Sequence, residues 1–123
     1  MDISVVIPTY NRPKQLRRCL ASLIEQSYPK EKYEVIVIDD GSEKDNGEVI
    51  SLFSGIMKIK YLYQKNSGST AARNRGVEYA KGDIIAYLDD DYVVNKNWLH
   101  NIKKAFDEYS DAQIIQGYLG LPT

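Results

Sequence analysis

The chain has 123 residues, enough for one domain around a single buried core. Its 16 Lys and Arg stand against 17 Asp and Glu, a formal net charge of −1, which excludes the broad basic field that nucleic acid or anionic lipid would call for. Cys19 is the lone cysteine, so an internal disulfide is excluded and a reducing compartment fits.

No stretch approaches the roughly 18 consecutive apolar residues of a membrane span, and "MDISVVIPTY" has neither a basic leader region nor a long apolar one. The expectation is a soluble, unexported, cytoplasmic chain, with the membrane face left open for a full-length protein. The β-branched run "ISVVIP" (3–8) reads as a central parallel strand buried on both faces. Pro13 suits the first turn of a helix, and Leu16, Cys19, Leu20, Leu23 and Ile24 then recur at helical spacing, which places Cys19 in the core. "YEVIVID" (33–39) predicts a second buried strand, and "DGSEKDNGEVISLF" a turn leading into a weaker helix. A third strand is expected at "IKYLYQ" (59–64). "SGSTAARNRGVEYA" opens with cap-type Ser and Thr and continues as a helix that Ala72, Gly76 and Ala80 let pack closely, ending at Gly82. "DIIAYL" (83–88) is a fourth strand, and Trp98, Ile102, Ala105, Phe106 and Tyr109 mark a fourth helix. "AQIIQGYLG" (112–120) is expected to begin a fifth strand.

Alternation of strand and helix without repeats or linkers predicts one α/β domain around a mostly parallel sheet, helices on both faces. Such sheets bind ligands beyond the carboxyl ends of their strands. The four segments there are "PTYNR", "DDGS", "QKNSGS" and "DDDY", all polar. Asp89 and Asp91 form an Asp-x-Asp pair around Asp90. A hard divalent cation, Mg²⁺ or Mn²⁺, binds through such carboxylates while keeping positions for a diphosphate. An acidic loop capping the next helix is an equal reading of the triplet taken alone, and Asp39 and Asp40 can equally serve the turn at Gly41.

In order and spacing, "SVVIPTYNR", "VIVIDDGS", "NSGSTAARNRG" and "IIAYLDDD" resemble the motifs of family-2 glycosyltransferases, across essentially the whole chain. The resemblance implies a Rossmann-like GT-A fold in its N-terminal half, so that residues 1–123 are a nucleotide-diphospho-sugar-binding domain of a longer transferase. It implies nucleoside contacts from Pro8, Thr9 and Tyr10, acceptance of the base's ring N–H by Asp40, and nucleotide contacts from Gly68 and Arg73. It further implies Asp90 near the ribose or diphosphate and a metal at Asp89 and Asp91, with Asp91 the direct ligand. Uracil, thymine and guanine carry a ring N–H where neutral cytosine and adenine do not, so a uridine donor is favoured and thymidine and guanosine stay open.

Outside that frame, Tyr10 reads equally as strand-end packing and Arg73 as a partner of Asp39 or Glu78. His100, Lys103 and Lys104 read as surface. The reaction implied is inverting transfer to an acceptor hydroxyl of a saccharide or other hydroxyl compound, with a cation on the leaving diphosphate and a general base for the hydroxyl. "GYLGLPT" offers no such base, so the resemblance puts it beyond Thr123, and transfer by these residues alone is not expected. A non-catalytic nucleotide-sugar-binding module is the alternative. A phosphoacceptor receiver would need its acidic pair after the first strand, and a dinucleotide oxidoreductase its G-x-G-x-x-G there; both are missing.

Overall fold

The computed structural model describes residues 1–108 and the backbone of 120–122. In chain order it contains β1 (Ile3–Thr9), α1 (Pro13–Ile24), a 3₁₀ turn (Lys30–Lys32), β2 (Tyr33–Asp39), α2 (Gly47–Ser51), β3 (Ile59–Tyr63), α3 (Ser69–Tyr79), β4 (Ile84–Tyr87), β5 (Tyr92–Val94), α4 (Trp98–Glu108) and β6 (Gly120–Pro122). The first four strands form one all-parallel sheet of order β3-β2-β1-β4. β1 is therefore interior, as its β-branched run predicts, and the chain reverses direction across the sheet when α3 carries it from β3 to β4.

Alternate side chains of a strand face opposite sides, and both sides are filled here. Ile3, Val5 and Ile7 of β1 with Tyr33, Val35 and Val37 of β2 pack in the larger core, which takes Leu16, Cys19, Leu20 and Leu23 from α1 and Trp98, Leu99 and Ile102 from α4. Val6, Ile36 and Ile38 face the other way, onto Ala72 of α3. That second layer is thin because α3 lies close: a Cβ added at Gly76 would sit 2.5 Å from Val6 Cγ1 and 2.8 Å from Ile38 Cδ1. Gly76→Ala should therefore destabilise despite the better helix propensity of Ala. Overpacking costs about 1–3 kcal/mol against about 1 kcal/mol of helix gain. Urea unfolding should show a lower midpoint at unchanged slope.

Three local expectations are corrected. α3 has no side-chain cap from its Ser or Thr residues; Gly68 occupies that position, and Asp40 of the neighbouring loop accepts the N–H groups of Ser67 and Gly68 instead. The helix ends at Tyr79, three residues before Gly82, whose N–H is donated to the Ser4 hydroxyl. β5 is an addition, a three-residue strand pairing antiparallel with β6. Too short for a periodic signal, it exists through its partner. Of the expected fifth strand, residues 112–119 lie outside the described residues, as does Tyr109. Thr123, beyond which the general base is expected, lies outside them too, so that expectation has no structural counterpart here.

Glu34 is a buried charge at the amino edge, which accepts from the Ser4 hydroxyl at 2.6 Å and the Lys81 N–H at 2.7 Å. Burial alone would raise its pKa, but these bonds and the Lys60 ammonium 3.5 Å away hold it below the usual value. Among the described residues, no helix is long and apolar enough to cross a membrane.

Candidate functional site

The parallel ladders bring β1, β2 and β3 to a common carboxyl edge, with Thr9 opposite Asp39 and Asp39 opposite Tyr63. Pairing continues one residue further: Asp40 N–H donates to Thr9 O, and Gln64 N–H to Asp39 O, both at 2.9 Å. The loops that follow the strands thus start level with one another. β4 stops three residues short of that level, its last pair being Tyr87 opposite Val6, and the Leu88 N–H donates to Val6 O just beyond it. Between the ends of β1 and β4, where the order of connection switches, lies a cleft of about 420 Å³, the position at which open α/β sheets take ligands.

The two acids of "VIDD" have different work. Asp39 is wholly buried and accepts from the Ser42 N–H (2.9 Å), the Asn46 amide (2.8 Å) and the Tyr61 hydroxyl (2.7 Å). It shapes the β2 loop from behind. Asp40 reaches the cleft and ties two loops together. One of its oxygens accepts from Gln64 Nε2 and the Ser67 N–H, both at 2.8 Å, and the other from the Gly68 N–H at 2.9 Å. For each carboxylate burial works to raise the pKa, and the hydrogen bonds outweigh it and lower the value. A carboxylate has about four acceptor positions, so Asp40 keeps capacity for one further donor from the cleft.

Adjacent anions in "DDD" are relieved by arginine. Arg12 Nη1 lies 3.4 Å from Asp90 Oδ1 and 3.5 Å from Asp91 Oδ2, and Arg73 Nη2 lies 3.5 Å from Asp89 Oδ1. Asp90 is nearly buried and accepts the Thr9 hydroxyl at 2.8 Å, joining the ends of β1 and β4. Burial raises its pKa, opposed by Thr9 and Arg12 and assisted by the Asp91 charge. Asp89 and Asp91 are more open, with 50% and 38% of their side chains exposed. Beneath the triplet, burial and then the charges of Asp90, Asp91 and Asp89 push the Cys19 thiol far above its ordinary value, which makes it an inert core residue.

Pro8, Thr9, Tyr10, Asp40, Arg73, Asp89, Asp90 and Asp91 all line this one cleft. Gly68 stands behind it and contributes its N–H to Asp40. Tyr10 is 46% exposed, so strand-end packing does not account for it. Arg73 pairs with Asp89 instead of Asp39 or Glu78. His100 is exposed, and Lys103 forms a surface pair with Asp107. Two further lining residues, Arg12 and Ser69, have no role in the sequence-based expectation. Arg12 follows directly on "PTYN", and an arginine at a strand end opposite an acidic triplet was the available signal.

Architecture and cleft together define an α/β protein with a polar cleft at the carboxyl edge of a parallel sheet. The family model described as glycosyl transferase family 2 matches residues 4–120, and the chain belongs to that family. Glycosyltransferase AglE of Haloferax volcanii is 40% identical over 99 residues, which cover 79% of this chain and 33% of that protein. Hyaluronan synthase of Pasteurella multocida is 39% identical over 119 residues, 94% of this chain and 12% of the synthase. Among solved structures, S. aureus TarS 1-349 in complex with UDP-GlcNAc superposes with a TM-score of 0.83 at 31% identity, over 89% of this chain and 32% of that one. A mannosyltransferase from Pyrobaculum calidifontis in complex with GDP-Man and Mn²⁺ gives a TM-score of 0.77 at 25% identity, over 82% and 31%. The fold is thus of GT-A type, and the chain spans about a third or less of the length of these relatives.

Proposed function

We propose that the cleft binds a nucleoside-diphosphate sugar, a UDP-sugar by preference, as the donor of a glycosyl transfer to a hydroxyl acceptor such as a saccharide. The observation that carries this reading is the convergence of Asp40, Arg73 and the Asp89–Asp91 triplet on one cleft at the carboxyl edge. The remaining acceptor position of Asp40 suits the ring N–H of uracil. Tyr10 offers an exposed aromatic face, and the hydrogen-bonded pair of Thr9 and Asp90 lines the same cleft. Arg73 and Arg12 supply cations for the diphosphate. The TarS complex with UDP-GlcNAc supports a uridine donor by similarity.

A divalent metal, Mn²⁺ or Mg²⁺, fits this donor set. Asp89 and Asp91 present hard carboxylate oxygens at the accessible end of the cleft, although among the described residues no three acidic, His or Cys side chains converge as a ready-made cage. Two carboxylates plus diphosphate oxygens and water make a common Mg²⁺ or Mn²⁺ environment. When bound, the ion would supply electrostatic stabilisation of the departing phosphate. The chain's own residues hold the nucleotide, orient the diphosphate and exclude water from its inner side. We place the acceptor surface and the base for its hydroxyl in the part of the relatives' length that these 123 residues, Met1 to Thr123, do not span.

Calorimetry of UDP binding tests the reading. Wild-type protein should bind UDP with Mn²⁺, and chelator or Asp91→Ala should weaken binding by about tenfold or more, since a contact to a charged group is worth roughly 1.5–3 kcal/mol. Binding undiminished in both cases would rule out the metal–diphosphate assignment.

A further inference from the structure

The guanidinium of Arg12 bridges two of the three carboxylates from the β1 loop, and its place there is built, not incidental. Asn11 adopts a left-handed backbone with φ 53°, a conformation Asn tolerates better than most residues. Its Oδ1 accepts the Glu43 N–H at 2.9 Å while its own N–H donates to the Ser42 hydroxyl at 2.8 Å. The reversal of the chain at Asn11 turns Arg12 toward the acidic loop, and α1 begins directly afterwards. From there Arg12 Nη1 lies 3.4–3.5 Å from both Asp90 and Asp91. These separations are long for charge-assisted bonds, and the Arg12 side chain is 51% exposed. Such a contact neutralises charge yet is easily exchanged.

We propose that Arg12 is an exchangeable counter-ion for this acidic loop: it occupies Asp90 and Asp91 while the cleft holds no nucleotide, and moves to the diphosphate when one binds, releasing Asp91 to the metal. The inference rests on the donor-site reading above and adds a residue and an order of events to it. A guanidinium and a divalent cation compete for the same carboxylate when no nucleotide is present. Once a diphosphate enters, the guanidinium gains two anionic oxygens in fork geometry, and the carboxylate and diphosphate together gain the metal. Arg12 consequently opposes metal binding in one state and assists nucleotide binding in the other.

That opposition of sign is the test. Titrating Mn²⁺ by electron paramagnetic resonance, without nucleotide, should show about three- to fivefold tighter binding to Arg12→Gln than to wild type, the scale of an exposed ion pair. With Mn²⁺ saturating, calorimetry should show UDP binding to Arg12→Gln about tenfold more weakly than to wild type. Equal Mn²⁺ affinity in the two proteins, or a change of the same sign in both titrations, would overturn the exchange. Failure of the wild type to bind UDP at any Mn²⁺ concentration would instead overturn the donor-site reading itself, so the two failures are distinguishable.

Discussion

Replacing Asp40 with Ala should lower UDP affinity by at least tenfold and should abolish the preference of the site for UDP over CDP. The carboxylate holds three donors from the β3–α3 segment, so its loss would remove the proposed base contact and free the Ser67–Gly68 turn that stands behind the cleft. A single hydrogen bond to a charged group is worth roughly 1.5–3 kcal/mol, which already exceeds the tenfold threshold. Isothermal calorimetry with UDP and CDP on both proteins reads the result. Equal affinity of the wild type for UDP and CDP would refute the ring N–H contact. The Asp40 pKa lies below its ordinary 3.8, because the Gln64, Ser67 and Gly68 bonds outweigh burial. A depressed folded pKa means its contribution is complete above 3.8 and disappears only as pH falls through the folded value. UDP binding should therefore show no titration from this group between roughly pH 5 and 8.

Asp39→Ala should have the opposite profile, a large loss of stability. The side chain is 0% exposed, and its removal strands the Ser42 N–H, the Asn46 amide and the Tyr61 hydroxyl. Each buried donor left unpaired costs about 1–3 kcal/mol, so the total should reach about 3–5 kcal/mol, a large fraction of the roughly 5–15 kcal/mol that stabilises a domain. Thermal unfolding followed by circular dichroism should move down by about 10 °C or more. Asp39→Asn keeps the shape and one acceptor oxygen and should fall between the two. Since Asp39 is also depressed, acid should weaken the fold as pH drops through its folded pKa, below 3.8, with no loss above it. A melting temperature unchanged in Asp39→Ala would show that Asn46 and Tyr61 find other partners, and that the β2 loop does not depend on this carboxylate.

The contrast between these neighbouring acids marks the limit of what the linear chain discloses. "VIDDGS" shows two carboxylates at a strand end, and either could serve the turn or the ligand. Their division follows from the pleat: successive residues of an extended strand point to opposite sides, so Asp39 enters the packed layer under Tyr61 while Asp40 turns to the β3–α3 loop. Which side is which depends on register with β1 and β3.

The four parallel strands, the helix order and the four polar strand ends were determined by the sequence itself, because they rest on local periodicity and on proline and glycine placement. β1 and β2 are apolar on both faces along their middles, Val5–Ile7 and Val35–Ile38, because both faces are covered, and that is legible in the sequence. The pairing of loops was decided only in three dimensions. Thr9 and Asp90 are 81 residues apart and meet at 2.8 Å only because β4 lies beside β1. The same adjacency puts Arg12 on Asp90 and Asp91, and the α3 crossover puts Arg73 on Asp89. The positive charge that answers "DDD" thus comes from two distant segments of the chain, each ordinary in composition, and no local pattern encodes a contact that exists only after the sheet has set its order.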